Sequence, residues 1–158
     1  MRQSTTLLIA AAVIAASCSS ATADTTTAAY IAAVEANETA YIEAWLAKDL
    51  DALMDTFAED AIWVDETFGD YIEGKSGVTA MYSTVIEFTD PDGSEVLDRF
   101  VSDDGTFAAS TWEWTGVNAF GKPFDLPIAL IDEYRDGKIV KQTAYYASPD
   151  AYRQLMGG

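Results

Sequence analysis

The sequence predicts an α+β domain in which helices come first and a meander of long strands follows. Three observations carry this. Apolar residues recur at helical spacing from about Thr26 to Ala47. After Glu59-Asp60 the period switches from helical to two. From Glu95 to Ala147 four alternating segments are divided by Asp103-Asp104-Gly105, Phe120-Gly121-Lys122 and Asp136-Gly137, each rich in turn formers.

In chain order, the first helix buries Ile31, Val34, Tyr41 and Trp45, so Tyr41 points inward with a hydroxyl that needs a partner. Asp49 caps a short second helix, Leu50 to Phe57, because its carboxylate can accept an orphan backbone N–H. In the strand that follows, Ile62 and Val64 face one way and Ala61, Trp63 and Asp65 the other. Glu66 to Asp70 reads as a polar turn and Tyr71-Ile72 as a short strand. Ser76 is expected to cap a third helix reaching about Glu87, with Val78, Met81, Tyr82 and Val85 on its buried side, and Thr89 to Gly93 reads as a loop. The four later strands are Glu95 to Ser102, Thr106 to Asn118, Phe124 to Tyr134 and Ile139 to Ala147. Trp112, Trp114 and Gly116 share one face of the second of these. Ile128, Leu130, Asp132 and Tyr134 share one face of the third. Ser148 and Pro149 would open a closing helix.

A Trp and an Asp on one face of a strand is an odd pairing. Solvent would misplace Trp63, and a plain core would leave Asp65 as a buried unpaired charge, which is costly. A pocket wall satisfies both.

Composition narrows the rest. With 158 residues, 49% hydrophobic and 22% charged, the chain can bury one core. A net charge of −17 argues against nucleic acid or an anionic membrane surface as partner. There is no histidine, which removes Ser-His-Asp and Cys-His machinery and the commonest zinc ligand; no metal-ligand spacing or phosphate-binding loop is present, and no cofactor is implied. Cys18 is the lone cysteine, so no disulfide within the chain can staple the core. Residues 1–23 read as a targeting segment: Arg2 is the positive start and Leu7 to Ala16 an apolar stretch too short to span a bilayer. Ala15-Ala16-Ser17-Cys18 looks like a lipobox with Cys18 as lipidated N-terminus, and Ala21-Thr22-Ala23 is a competing small-x-small cleavage site. Ser19 to Thr27 reads as a tether, and residues 24–158 as a single domain.

The run from Tyr41 to Lys75 carries a family resemblance. A helix ends in Lys48-Asp49-Leu50, a short helix leads into Phe57-Ala-Glu-Asp60-Ala61, a strand follows, and Gly74 precedes a third helix. This resembles the SnoaL-like and ketosteroid-isomerase-like branch of the nuclear-transport-factor-2-like superfamily, over roughly residues 26 to 157. The resemblance implies a cone: a curved antiparallel sheet wrapped by the N-terminal helices, closed at one end and open as a pocket at the other. It also implies roles. Asp65 falls where the isomerases carry their general-base aspartate. Ile131-Asp132-Glu133-Tyr134 fits the strand of their oxyanion-hole aspartate. Tyr41 precedes Lys48-Asp49-Leu50 by the seven residues that separate their oxyanion-hole tyrosine from the same helix end. Glu66 stands where those enzymes have proline after the base. An epoxide-hydrolase-like site fits less well, since Thr143-Ala144-Tyr145-Tyr146 lacks the needed acid.

The expectation is therefore an exported domain with an apolar small-molecule pocket. Tyr41, Asp65 and Asp132 are its candidate catalytic groups, and Trp63, Trp112, Trp114 and Tyr145 its ligand-binding aromatics. The activity would be isomerase-like or cyclase-like, by proton transfer next to a carbonyl, with Asp132 protonated in apolar company and Asp65 ionised near water. The alternative is a non-catalytic binding or accessory module of the same fold. Membrane contact would come only through a lipid on Cys18, and a homodimer through the outer sheet face is the expected assembly.

Overall fold

The computed structural model describes residues 8–88, 90, 93–147 and 150–156, with side chains from Thr25 onward apart from Phe88, Tyr152 and Met156. Its elements are α1 (Leu8–Ala47), α2 (Leu50–Asp55), β1 (Phe57–Asp65), β2 (Asp70–Glu73), α3 (Lys75–Phe88), β3 (Glu95–Val101), β4 (Phe107–Val117), β5 (Pro123–Arg135), β6 (Lys138–Tyr146) and α4 (Ala151–Met156).

Helical periodicity places α1 as expected but not its start. The helix begins at Leu8 and takes in Ser19 to Thr27, expected as a tether. No glycine or proline interrupts residues 8–47, and the many alanines cost little in a helix. Among the described residues no helix is long and apolar enough to cross a membrane. Lys48 takes a positive φ of 56°, ending α1, and Asp49 then caps α2 by accepting the Ala52 N–H at 3.0 Å. Helix α2 stops at Asp55, two residues short of expectation. Thr56 closes it, its Oγ1 donating to the Leu53 carbonyl at 2.6 Å, and Phe57 is already in the sheet opposite Ile139. Helix α3 starts at Lys75 and not after Ser76, because the Gly74 carbonyl already accepts from the Gly77 and Val78 N–H groups. Thr89, part of the expected loop, and Ser148 with Pro149, the expected cap of the last helix, lie outside the described residues.

The sheet runs β2-β1-β6-β5-β4-β3, so β2 and β3 are its edges. Four pairings are antiparallel, but β1 pairs β6 in parallel, a departure from the all-antiparallel expectation. The parallel pair arises because the chain leaves the sheet through β2 and α3 before the meander returns its last strand alongside the first. Register shifts between Phe57 and Ile62, Val96 and Asp98, and Glu133 and Tyr134 bend the strands.

The inner face is layered in rows that follow the register. At the narrow end Tyr134 stands opposite Ile139. The next row is Ala108, Asp132, Gln142, Trp63 and Ile72. Above it lie Ser110, Leu130, Ala144, Asp65 and Asp70, and then Trp112, Ile128 and Tyr146. Val34, Tyr41 and Trp45 from α1, Leu53 from α2, and Val78 and Tyr82 from α3 cover these rows. Asn37 ties the closed end: its Nδ2 donates to the Thr56 carbonyl at 3.1 Å and to the Gly137 carbonyl at 2.8 Å. The β3–β4 hairpin docks on α1 through Gly105, whose φ is 68°. A Cβ there would sit 3.0 Å from Tyr30 Cδ1 and 3.1 Å from Ile31 N, so only glycine permits the approach.

Candidate functional site

A cavity of about 400 Å³ opens between the wide end of the sheet and helices α1 and α3. Its walls are mainly rings: Tyr41 and Trp45 from α1, Trp63 from β1, Trp112 and Trp114 from β4, Tyr82 from α3 and Tyr146 from β6. They pack edge to face. Trp45 and Trp114 centroids are 6.3 Å apart at 61°, Tyr41 and Trp112 6.3 Å apart at 80°. Phe68 and Tyr146 lie 5.3 Å apart. Asp65 and Asp70 are the only charged residues among the described lining.

Asp65 lies in the wall as its parity requires and is 1% exposed. Its Oδ1 accepts the backbone N–H groups of Thr67 at 2.8 Å and Phe68 at 2.9 Å, an arrangement that fixes the turn after β1. Burial pushes its carboxyl above the ordinary carboxylate range, the two backbone donors offset part of that rise, and the charges of Asp70 and Glu66 add to it. This corrects the expected environment. Asp65 is buried in the cavity wall with the Thr67–Phe68 turn folded against it, and that burial opposes its ionisation.

Tyr41 also lines the cavity, and the partner its hydroxyl needs is another side chain. Its hydroxyl lies 2.9 Å from that of Tyr82. The Tyr82 hydroxyl donates to Gln142 Oε1, so its single proton is used and Tyr41 donates to Tyr82. Burial raises both phenols above their usual range. This hydroxyl pair floors the cavity.

Asp132 does not line the cavity. It sits in the row of Gln142, one step deeper than Asp65, and is 1% exposed. Its carboxyl neighbour there is Glu38, which accepts from the Tyr134 hydroxyl at 2.6 Å. Burial pushes Asp132 well above the carboxylate range, and Glu38 adds to the rise. Asp132 Oδ1 and Gln142 Nε2 are buried without a hydrogen-bond partner. Tyr41 and Asp65 thus both line the cavity, whereas Asp132, expected to converge with them, belongs to a polar cluster below the floor.

Tyr145 is corrected as well. It is 42% exposed on the outer face opposite Ala129, and Tyr146 takes the cavity position. Parity decides this: Gln142, Ala144 and Tyr146 alternate inward, with the irregularity between Glu133 and Tyr134 setting the phase. Trp63, Trp112 and Trp114 are where the sequence placed them. The reading missed Glu38, although it lies four residues after Val34 and three before Tyr41, on the same helical stripe. It also missed Asp70 and Phe68, which enter the wall through a turn whose closure periodicity does not reveal.

A curved α+β sheet with a ring-lined cavity at its wide end is the nuclear-transport-factor-2-like architecture. The SnoaL-like domain model matches residues 39–142, and the chain belongs to that family. Solved structures agree on the fold. A protein with a ketosteroid isomerase-like fold from Catenulispora acidiphila, in complex with trimethylamine, is 20% identical with a TM-score of 0.63, covering 76% of this chain and 92% of its own. An isomerase candidate from Bacillus subtilis is 19% identical with a TM-score of 0.69, covering 82% and 96%. A candidate polyketide cyclase from a Silicibacter species is 25% identical with a TM-score of 0.65, covering 77% and 94%. No protein of curated function matches the chain.

Proposed function

We propose that the protein binds a small, largely apolar molecule in the cavity and acts on it as an isomerase or cyclase, by proton transfer beside a carbonyl. The supporting observation is Asp65: a desolvated carboxyl in the wall of a ring-lined cavity of about 400 Å³. A general base needs a pKa near the working pH, and burial moves Asp65 in that direction. The donor for charge developing on the ligand oxygen is the floor, where Tyr41 or Tyr82 turns its proton from the hydroxyl chain into the cavity. The relatives from Bacillus and Silicibacter are described as a candidate isomerase and a candidate polyketide cyclase, in keeping with this reading. An enolisable methyl ketone such as 2-acetylnaphthalene tests it. The protein should speed exchange of the methyl protons with deuterated water, and Asp65→Asn should lower that rate by roughly a hundredfold or more while the ketone still binds. Saturable binding with no exchange would leave the alternative, a binding or accessory module.

The proposal extends to location and assembly. The chain is exported and held at a membrane by a lipid on Cys18. The Cys18→Ala variant should move the protein from the membrane to the soluble fraction, and unchanged fractionation would point to cleavage after Ala23. The outer sheet face pairs two copies. A row across all six strands, Phe100, Ala109, Ile131, Thr143, Val64 and Tyr71, is mainly apolar, and Phe100 is 63% exposed.

A further inference from the structure

The rings and charges of the cavity are distributed unevenly, and that distribution selects a ligand class. At one end Asp65 and Asp70 stand opposite each other in the β1–β2 register, with Phe68 and Tyr146 packed beside them. Trp114 continues the wall, its centroid 6.1 Å from that of Tyr146. No lysine or arginine is among the described residues lining the cavity, and Asp65 makes no salt bridge there. Asp65 is buried in the wall and Asp70 stands exposed at its solvent edge, and no cation among the described lining neutralises either. Burial raises the Tyr146 hydroxyl above its usual range, and the charges of Asp65 and Asp70 add to the rise.

We infer that this end of the cavity takes an organic cation, an alkylated ammonium group carried on an apolar body, seated between the Asp65 and Asp70 carboxyls and the rings of Phe68, Tyr146 and Trp114. The chemistry is complementary on each count. An alkylated ammonium is large and weakly hydrated, so entering an apolar cavity costs it less than it costs a lysine-like ammonium. Ring faces attract it through their quadrupoles, more strongly where water is excluded. Asp65 supplies countercharge in a low-dielectric setting and the exposed Asp70 adds to it from the solvent edge, and the cation's arrival favours the ionised form of Asp65 that burial opposes. The net charge of −17 adds a field that concentrates cations at the mouth. An anionic ligand would meet repulsion at the same place. This inference rests on the proposal that the cavity binds small molecules, and it names the class.

The test compares two probes of one shape, phenyltrimethylammonium and tert-butylbenzene, by quenching of tryptophan fluorescence in the whole chain. The cation should bind at least tenfold more tightly than its neutral isostere. Asp70→Asn should reduce the preference severalfold and leave the neutral probe unchanged, and Asp65→Asn should reduce it at least tenfold. The asparagine amide oxygen can still accept the Thr67 and Phe68 N–H groups, so the turn is kept, and circular dichroism verifies folding of each variant. Asp98→Asn, at an exposed acid outside the cavity, should change neither affinity. Equal or tighter binding of the neutral probe overturns the cation inference and leaves the pocket reading standing. A preference that Asp98→Asn lowers as much as Asp70→Asn overturns it too, since surface charge alone would then explain it. Binding of neither probe overturns both.

Discussion

The hydroxyls of Tyr41 and Tyr82 meet 2.9 Å apart across 41 residues of sequence and join the first helix to the third at the floor of the cavity. Since Tyr82 donates onward to Gln142, removing its oxygen strips Gln142 Oε1 of a buried donor and leaves Tyr41 without its acceptor. Tyr82→Phe should therefore destabilise the fold by about 1–3 kcal/mol, read from urea unfolding. Loss well under 0.5 kcal/mol would mean that the hydroxyl chain contributes little.

The cluster below the floor should show itself in the pH dependence of stability. Glu38, Gln142, Tyr41 and Tyr134 surround Asp132, and its folded pKa is raised. An acid with a raised folded pKa favours the native state below its unfolded pKa. That contribution is lost as pH climbs from the unfolded value to the folded one, because only the unfolded chain releases the proton there. Asp132→Asn carries no such proton. Wild-type stability relative to Asp132→Asn should fall as pH rises above about 4, by up to about 1.4 kcal/mol per pH unit. Urea midpoints at pH 5, 6, 7 and 8 check this, and parallel curves for the two proteins would contradict it.

Asp65 gives the opposite reading in activity. A base works only when ionised, and burial holds this carboxyl above the ordinary range. Ketone proton exchange should therefore rise with pH through a midpoint above about 4, the usual aspartate value. A midpoint at or below 4 would mean that the Phe68 and Thr67 donors outweigh desolvation.

Assembly is tested at Ile131, which projects from mid-strand on the outer face between Ala109 and Thr143. Ile131→Glu buries nothing within one chain but puts a charge in the middle of the apolar row. Light scattering should show a dimer for the native protein and a monomer for the variant. A native monomer at high concentration removes the pairing proposal.

The two periodicities made most of this fold legible. Helical spacing marked α1, alternation set which side chains of β1, β4 and β5 face inward, and a Trp63–Asp65 pair on one face was enough to argue a cavity. Residue parity says which face a side chain takes, but not how deep along the cone it lies. Asp132 has the right parity and the wrong row, since the register of β5 against β6 places it beside Gln142. Tyr145 and Tyr146 are adjacent aromatics, and an irregularity that no residue type marks decides which one enters. Glu38 was readable from its spacing but runs against the rule that charge stays outside, and it is held there by Tyr134, 96 residues away.

The central claim is a ligand cavity with Asp65 in its wall, and filling that cavity tests it most directly. Ala144 lines it beside Asp65 in the β1–β6 register and is 1% exposed, so Ala144→Phe projects a ring into the space a ligand would occupy. Titration of 2-acetylnaphthalene followed by tryptophan fluorescence should saturate at one molecule per chain in the native protein. In Ala144→Phe, verified as folded by circular dichroism, affinity should drop at least tenfold. Equal affinity in the two proteins, or no saturable binding by the native one, would contradict the account.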